Sequence, residues 1–304
     1  MSESPRSGMT DAHRTGTISI VGRPNVGKST LLNLLVGQKI SITSRKPQTT
    51  RNRITGILTR PNAQLVFVDT PGFQTQHRSA LNRMMNRSVS QSVKDVDVIV
   101  WVIEALRFDS RDAELLKLLP DDIPVVLVIN KIDRVKVKSE LLPFIAQMSE
   151  RRPFAAVVPL SAERDKAVEG LVREMEKRLP EGPRMYEEDE ITTLPERFLA
   201  AELVREKLFR LLGDELPYAT AVEIERFETV GELRRIFVAI LVDKANQKPI
   251  IIGAKGEKLK AISTQARRDM EGLFGGKVYL EVWVRVRSGW ADDEGVLKRI
   301  GIDY

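Results

Sequence analysis

Eight consecutive residues carry the clearest chemical pattern in this 304-residue sequence. Residues 22–29 read Gly-Arg-Pro-Asn-Val-Gly-Lys-Ser, which matches the phosphate-loop pattern G-x-x-x-x-G-K-[ST]. Glycines let backbone N–H groups turn towards a phosphate, a Lys neutralises its charge, and a Ser oxygen can bind Mg²⁺. The pattern predicts a nucleotide site, and the alternative is a turn that only begins a helix. Its candidate residues are Gly22, Arg23, Pro24, Asn25, Val26, Gly27, Lys28, Ser29 and Thr30.

A second motif supplies a carboxylate for the metal. Residues 69–72 read Asp-Thr-Pro-Gly and follow an apolar run. Asp69 could hold Mg²⁺ through water, and the Gly72 N–H could reach a γ-phosphate. Together with Ser29, Asp69 gives the metal two protein contributors.

A third motif indicates which nucleotide base the site binds. Residues 130–133 read Asn-Lys-Ile-Asp and follow another apolar run. The Asp133 carboxylate can accept from both N1–H and the 2-amino group of guanine, whereas adenine has no donors there. We therefore expect GTP rather than ATP. Asn130 would join the loops, and the Lys131 stem would lie along the base.

The elements that must position these loops form an alternating series. Short β-branched runs alternate with helical patterns from residue 17 to residue 180, which predicts an α/β domain with a mostly parallel sheet covered on both faces. Residues 1–16 are rich in Ser, Gly and Arg and are expected to form a disordered tail. Residues 181–195 are rich in Pro, Gly and acidic side chains and are expected to form a linker.

The ordered motifs resemble those of the translation-factor-related GTPases. In that family a Ser-Ala pair after a later strand brings a backbone N–H to guanine O6, and Ser161 and Ala162 match it. A first-switch Thr binds Mg²⁺ and the γ-phosphate; Thr50 is the preferred match and Thr49 the alternative. The resemblance implies binding of GTP and GDP, a Mg²⁺ site of Ser29, Thr50 and Asp69, and hydrolysis of GTP.

The residues expected to take part in hydrolysis are Lys28, Thr50, Gly72 and Asn25. Small signalling GTPases place a water-orienting Gln directly after the Asp-x-x-Gly motif. Phe73 occupies that position and cannot polarise water, so a low intrinsic rate is expected. Related GTPases with a Gly-x-Pro-Asn loop use the Asn to hold K⁺, which makes Asn25 a candidate K⁺ ligand.

The C-terminal part carries a different motif. Beyond the linker the pattern predicts a helix, two strands, a helix pair around a Gly-x-x-Gly turn and a last strand, which is a compact α+β module. This resembles a type II KH domain over residues 196–304, whose turn clamps the backbone of single-stranded nucleotides. A purely structural turn between two helices is the alternative. The candidate RNA-binding residues are Gly253, Ala254, Lys255, Gly256, Lys258, Lys260, Arg267 and Arg268.

Charge supports a polyanionic partner for this module. The whole chain has a formal net charge of +6, and residues 244–287 hold ten basic and four acidic side chains. Trp290 could stack on a base or cover the edge of the core. The first-switch segment, residues 39–60, is a second basic segment, which contacts RNA or is simply solvated. It contains Lys39, Arg45, Lys46, Arg51, Arg53 and Arg60.

The pairing of these two domains resembles the Era family of bacterial GTPases. That resemblance implies binding of the single-stranded 3′ end of small-subunit (16S) ribosomal RNA and a role in maturation of the 30S subunit. It also implies a cytoplasmic monomer, with peripheral contact to the inner membrane as an open addition. One alternative is a GTPase acting on another RNA such as tRNA. It is disfavoured because related tRNA-modifying GTPases use a C-terminal Cys and this chain contains no Cys. The other alternative is a non-enzymatic RNA adaptor with a degenerate site.

Overall fold

A six-stranded sheet organises the N-terminal part of the chain. The computed structural model describes residues 13–44, 46, 54–69, 93–164, 168–213 and 215–300. The strand order is β2-β3-β1-β4-β5-β6, and every pair is parallel except β2 with β3. The strands are β1 (Arg14–Val21), β2 (Ile54–Arg60), β3 (Ala63–Asp69), β4 (Val98–Glu104), β5 (Val125–Asn130) and β6 (Ala156–Pro159).

Helices cover both faces of this sheet. Helices α1 (Lys28–Val36) and α4 (Glu169–Glu176) bury apolar residues against one face, and α2 (Ser110–Leu118) and α3 (Leu141–Ser149) against the other. Strands β3 and β5 are buried at every position, as expected for strands with helices on both sides. The predicted α/β class and the mostly parallel sheet are confirmed.

The first strand begins earlier than the sequence predicts. Residues 14–16, which the prediction assigned to a disordered tail, belong to β1, and Arg14 pairs with Ala63. The Thr15 N–H donates to the Pro180 carbonyl at 3.0 Å. These partners lie far along the chain, so the polar local composition gave no sign of the strand. The remainder of the predicted tail, residues 1–12, lies outside the described residues.

The predicted linker lies along the edge of the sheet. The Ile57 N–H of edge strand β2 donates to the Ile191 carbonyl at 2.8 Å, and the Thr192 hydroxyl donates to the Thr55 carbonyl at 2.6 Å. Gln64 exchanges hydrogen bonds with the backbone of Tyr186. The segment therefore occupies edge-strand groups that would otherwise remain open to other chains.

The C-terminal module is a three-stranded sheet with helices on both faces. Its order is β7-β8-β9, antiparallel between β7 and β8 and parallel between β8 and β9. The predicted α+β order is confirmed, and one short helix, α8, was not predicted. The elements are α5 (Glu196–Leu211), β7 (Thr220–Val230), β8 (Leu233–Val242), α6 (Lys248–Ile252), α7 (Glu257–Phe274), β9 (Val278–Val286) and α8 (Glu294–Arg299).

Trp290 belongs to the core of this module. Its side chain is 2% exposed and packs with Leu241, Val296 and Leu297 beneath α8. Its indole N–H donates to the Ala219 carbonyl at 3.2 Å. Stacking of Trp290 on a base is therefore excluded in this structure. None of the helices in the described ranges is long and apolar enough to cross a membrane.

Candidate nucleotide and RNA sites

The phosphate loop follows the carboxyl end of β1 and ends where α1 begins. Gly27 has a φ of 105° and precedes Lys28, the first residue of α1. A Cβ atom at Gly27 would lie 2.3 Å from Asn130 Nδ2, so only glycine fits. The loop thereby presents backbone N–H groups at the positive end of a helix, which is an arrangement that binds phosphate.

Lys28 is held inside this loop. Its ammonium donates to the carbonyls of Gly22 at 3.0 Å and Arg23 at 3.1 Å. Burial lowers the pKa of Lys28 to about 8, and the charge of Asp69 opposes the shift only in part. The ammonium is thus poorly compensated until an anion, such as a nucleotide phosphate, lies beside it.

The two predicted metal contributors are in contact. Ser29 Oγ donates to Asp69 Oδ2 at 2.8 Å, and the Asp69 side chain is fully buried. Mg²⁺ prefers oxygen ligands and usually keeps several waters, which suits this pair beside a phosphate loop. The residues therefore fit a Mg²⁺ ion.

Two side chains that were not predicted complete this corner. Ser41 Oγ donates to Asp69 Oδ2 at 3.2 Å. Asn33 Oδ1 accepts from the Ser41 N–H at 2.9 Å and from the Ile40 N–H at 3.0 Å. A polar residue within the apolar run Leu31-Leu32-Asn33-Leu34-Leu35 was the only sequence signal for this contact.

Asn130 connects three of the predicted loops. Its Nδ2 donates to the Val26 carbonyl at 2.8 Å, and its Oδ1 accepts from the Ala162 N–H at 2.9 Å and from the Lys131 N–H at 2.7 Å. Lys131 in turn donates to the Asn25 carbonyl at 2.6 Å. The phosphate loop, residues 130–133 and the loop after β6 therefore meet at one edge of the sheet.

The Asp133 carboxylate is oriented by the same loop. Ser161 Oγ donates to Asp133 Oδ1 at 2.7 Å, and Arg164 Nε lies 3.7 Å from Oδ2. The Ser161 hydrogen bond holds the pKa of Asp133 below its usual value. A charged, oriented acceptor of this kind suits the two adjacent donors of guanine.

Several predicted site residues lie outside the described residues: Thr49, Thr50, Gly72 and Phe73. The remaining predicted nucleotide residues converge at the carboxyl edge of the sheet, which is where α/β folds bind ligands.

The predicted RNA turn lies between α6 and α7. Gly253 has a φ of 74°, Lys255 a φ of 50° and Gly256 a φ of 80°. A Cβ at Gly253 would lie 2.8 Å from Lys258 Cβ, so the turn packs closely on the first turn of α7. Ala254 and Lys255 are exposed at its tip, where an approaching phosphate could contact them.

The charged candidates around this turn differ in their contacts. Lys260 and Arg268 are exposed on α7, and Lys258 is partly exposed. Arg267 instead donates to Glu271 Oε1 at 2.6 Å on the same helix. Arg267 is therefore less available for RNA than its position in the sequence implied.

The basic segment between residues 39 and 60 contacts acidic and carbonyl groups of the chain itself. Lys39 lies 2.6 Å from both Glu206 Oε2 on α5 and Asp269 Oδ2 on α7. Lys46 donates to the Leu212 carbonyl at 2.6 Å, just after the end of α5. Arg60 pairs with Glu169 and Glu176. Arg45, Arg51 and Arg53 lie outside the described residues.

Glu206 is the centre of this contact between the two domains. Its side chain is fully buried, and it accepts from the Thr43 N–H at 3.0 Å and from Arg210 at 2.9 Å. Burial opposes ionisation of Glu206, but the hydrogen bonds from Lys39, Thr43 and Lys207 outweigh it and hold the pKa low. The first-switch segment and α5 are thereby joined through one charged carboxylate.

These loops and the Gly-x-x-Gly module define the class of protein as a phosphate-loop GTPase followed by a KH domain. Family models agree: residues 17–131 match a model described as 50S ribosome-binding GTPase, and residues 215–291 match the KH domain. GTPase Era of Nitrosomonas eutropha is 58% identical, over 96% of this chain and 98% of its own length. GTPase Era of Chromobacterium violaceum is 56% identical, over 97% of this chain and 100% of its own length.

The chain belongs to the Era family of GTPases and hydrolyses GTP. Two solved structures, each 40% identical with a TM-score of 0.91, cover 96% of this chain and all of their own. One is a variant of Aquifex aeolicus Era bound to GDP·AlF₄⁻. The other is Era in complex with MgGDPNP and nucleotides 1506–1542 of 16S ribosomal RNA. Membership of this family of GTPases excludes the alternative, considered from the sequence, of a non-enzymatic RNA adaptor.

Proposed function

We propose that this protein is a GTP-controlled switch that binds the single-stranded 3′ end of 16S ribosomal RNA and assists maturation of the 30S subunit. The observation that carries the proposal is the similarity, at a TM-score of 0.91, to the Era complex with MgGDPNP and nucleotides 1506–1542 of 16S ribosomal RNA. The exposed tip of the Gly253–Gly256 turn, with Lys255, offers positive charge and a close approach of the main chain to single-stranded RNA.

The nucleotide half would work through groups that are already positioned. Asp133 would bind guanine, Lys28 and the phosphate-loop N–H groups would hold the phosphates, and Ser29 and Asp69 would hold Mg²⁺, which would screen the charge of the phosphates when bound. Thr50 and Gly72 are proposed to contact the γ-phosphate. With Phe73 in place of a water-orienting Gln, the intrinsic rate is expected to be low.

The contact between the two domains supports coupling of the two sites. The first-switch segment contains the proposed γ-phosphate ligand Thr50, and its neighbours Lys39, Thr43 and Lys46 bind α5 or its C-terminal end. Helix α5 packs against α7, which begins directly after the Gly-x-x-Gly turn. A change in the switch on GTP hydrolysis would therefore act on a helix that supports the RNA site.

The proposed setting is a cytoplasmic monomer acting on the 30S subunit. Peripheral contact with the cytoplasmic face of the inner membrane is included in the proposal as a minor association. Both statements are supported by the resemblance to the Era family.

Crosslinking in cells followed by RNA sequencing tests the proposed substrate. We expect recovery of the 3′ end of 16S ribosomal RNA, and substitution of Lys255 by Gln should reduce it while total protein stays constant. Recovery of tRNA or messenger RNA alone would overturn the proposed substrate and favour a GTPase acting on another RNA.

A further inference from the structure

Glu104 lies between the phosphate loop and the loop of residues 130–133. It is the last residue of β4 and pairs with Asn130 in the β4–β5 ladder. Its Oε2 atom accepts from Arg23 Nη2 at 3.3 Å and from Lys131 Nζ at 3.1 Å. One carboxylate oxygen thus joins a cation of the phosphate loop to a cation of the guanine-binding loop.

Arg23 extends this chain of contacts into the protein. Its Nε donates to Asp112 Oδ2 at 3.1 Å, and both side chains are buried. Asp112 Oδ2 also accepts from the Asp109 N–H at 3.1 Å, as part of the capping box that begins α2. A buried guanidinium is unfavourable without anionic partners, so these carboxylates anchor the phosphate loop to β4 and α2.

The backbone after Glu104 is also unusual. Four non-glycine residues in the described part of the chain have a positive φ, and three of them, Asn25, Lys131 and Lys255, are predicted site residues. The fourth is Leu106, with a φ of 59°, in the turn that the Arg107 N–H closes on the Glu104 carbonyl at 3.1 Å. Strained turns of this kind are found where the surrounding structure requires a fixed geometry.

We propose that Glu104 is a positioning residue that holds the phosphate loop and the guanine-binding loop at a fixed separation, so that both ends of one GTP molecule bind at once. The proposal rests on the GTPase activity and places Glu104 away from the reacting atoms. Burial opposes ionisation of Glu104, but Lys131 and Arg23 outweigh it and hold its pKa low, so the carboxylate is charged at neutral pH.

Nucleotide dissociation from the full chain tests this role. In Glu104→Gln the two cations lose their shared charge, and we expect a fluorescent GDP and a fluorescent GTP analogue to dissociate faster by a similar factor, about tenfold. Glu174→Gln is the matched control, because Glu174 on α4 also accepts from two cations, Lys177 and Arg178, and contacts neither loop. It should dissociate nucleotide at the wild-type rate.

Ligand fragments separate positioning from local damage. Guanosine uses only the base loop and magnesium tripolyphosphate only the phosphate loop, so each should compete as well in Glu104→Gln as in the wild type, within about twofold. Glu104→Asp keeps the charge on a shorter side chain, so its nucleotide dissociation rate should lie between those of the wild type and Glu104→Gln. Thermal melting without nucleotide reports whether each variant is folded.

Unchanged dissociation of whole nucleotides from folded Glu104→Gln would overturn the proposal; should that variant not fold, the same result with Glu104→Asp would do so. Weaker binding of the fragments, by the same factor as for the whole nucleotide, would also overturn it. Failure of the wild-type protein to bind GDP in the same assay would instead count against the guanine-nucleotide site itself.

Discussion

Lys28 shows how a single buried charge can link nucleotide binding to pH. Its pKa is lowered to about 8 by burial, so above that pH the nucleotide-free side chain loses its proton. Phosphates beside the amine favour the charged form and should raise the pKa again. GDP binding should therefore take up a proton above pH 8 and none well below it.

Calorimetry in two buffers of different ionisation enthalpy measures this uptake. At pH 8.5 we expect uptake of up to about three-quarters of a proton per GDP for the wild type and less for Lys28→Arg, because arginine stays protonated. Proton changes of the nucleotide itself occur in both proteins and cancel in the comparison. Equal uptake by the two proteins at pH 8.5 would show that Lys28 does not titrate in this range.

Asn25 is the residue that we propose binds K⁺. It has a φ of 65° in the phosphate loop, and its carbonyl is held by Lys131. Phe73 takes the position of the water-orienting Gln, so a cation beside the phosphates would supply stabilising charge, and single-turnover hydrolysis should be faster in K⁺ than in Na⁺ by about tenfold. Asn25→Ala should remove that difference, and equal wild-type rates in both salts would refute K⁺ binding.

The Gly-x-x-Gly turn should bind RNA through the phosphates of the RNA backbone. Lys255 is exposed at its tip, so Lys255→Gln should weaken RNA binding alike for different sequences and lower the slope of log affinity against log salt by about one. Lys117→Gln, an exposed change on α2 of the GTPase domain, is the control. Fluorescence anisotropy over a salt series measures both, and an unchanged slope for Lys255→Gln would contradict the assigned contact.

Helix α5 should carry the coupling between the two domains. Glu206→Gln removes the charge that binds Lys39 and Thr43, and we expect the ratio of RNA affinities in the GTP-analogue and GDP states to fall towards one. Leaving the buried cation Lys207 underpaired should also cost about 1–3 kcal/mol of stability, which thermal melting would show as a lower midpoint.

The control for this experiment lies on the same helix. Glu196→Gln breaks a pair with Arg234 inside the C-terminal module and does not touch the first switch, so the affinity ratio should stay at the wild-type value. If the ratio of RNA affinities fell towards one in both variants, the cause would be destabilisation of α5 and not loss of the contact with the first switch.

Elements whose signal is local were predictable from the sequence, and contacts made across the fold were not. The phosphate loop, residues 130–133 and the Gly253–Gly256 turn each combine a short motif with a flanking strand or helix. The first residues of β1 escaped prediction because they depend on pairing with β3, and α8 is only six residues long.

The same limit applies to the site. Asn130 was expected to join loops because its motif is short and specific. In the sequence, Glu206 is one of several charged residues in a predicted helix, and no local pattern indicates that it is fully buried against the first switch. Glu104 likewise carried no motif, because its two partners lie far from it in the sequence.

In the full chain, a charged contact between the first switch and helices α5 and α7 connects the proposed nucleotide and RNA sites. A protein that changes shape with its nucleotide can alter RNA affinity only if the two states bind RNA differently, and the effect must be reciprocal at equilibrium. The Lys39–Glu206–Asp269 contact is the physical connection that the structure offers for this difference.

The affinity of the full-length protein for an RNA oligonucleotide with the 3′-terminal sequence of 16S ribosomal RNA tests this claim most directly. It is measured once with a non-hydrolysable GTP analogue bound and once with GDP bound. We predict tighter binding in the analogue state, by a factor of about 5–150, and the same factor for the effect of RNA on analogue affinity. Equal RNA affinities in the two nucleotide states would contradict coupling between the nucleotide site and the RNA site.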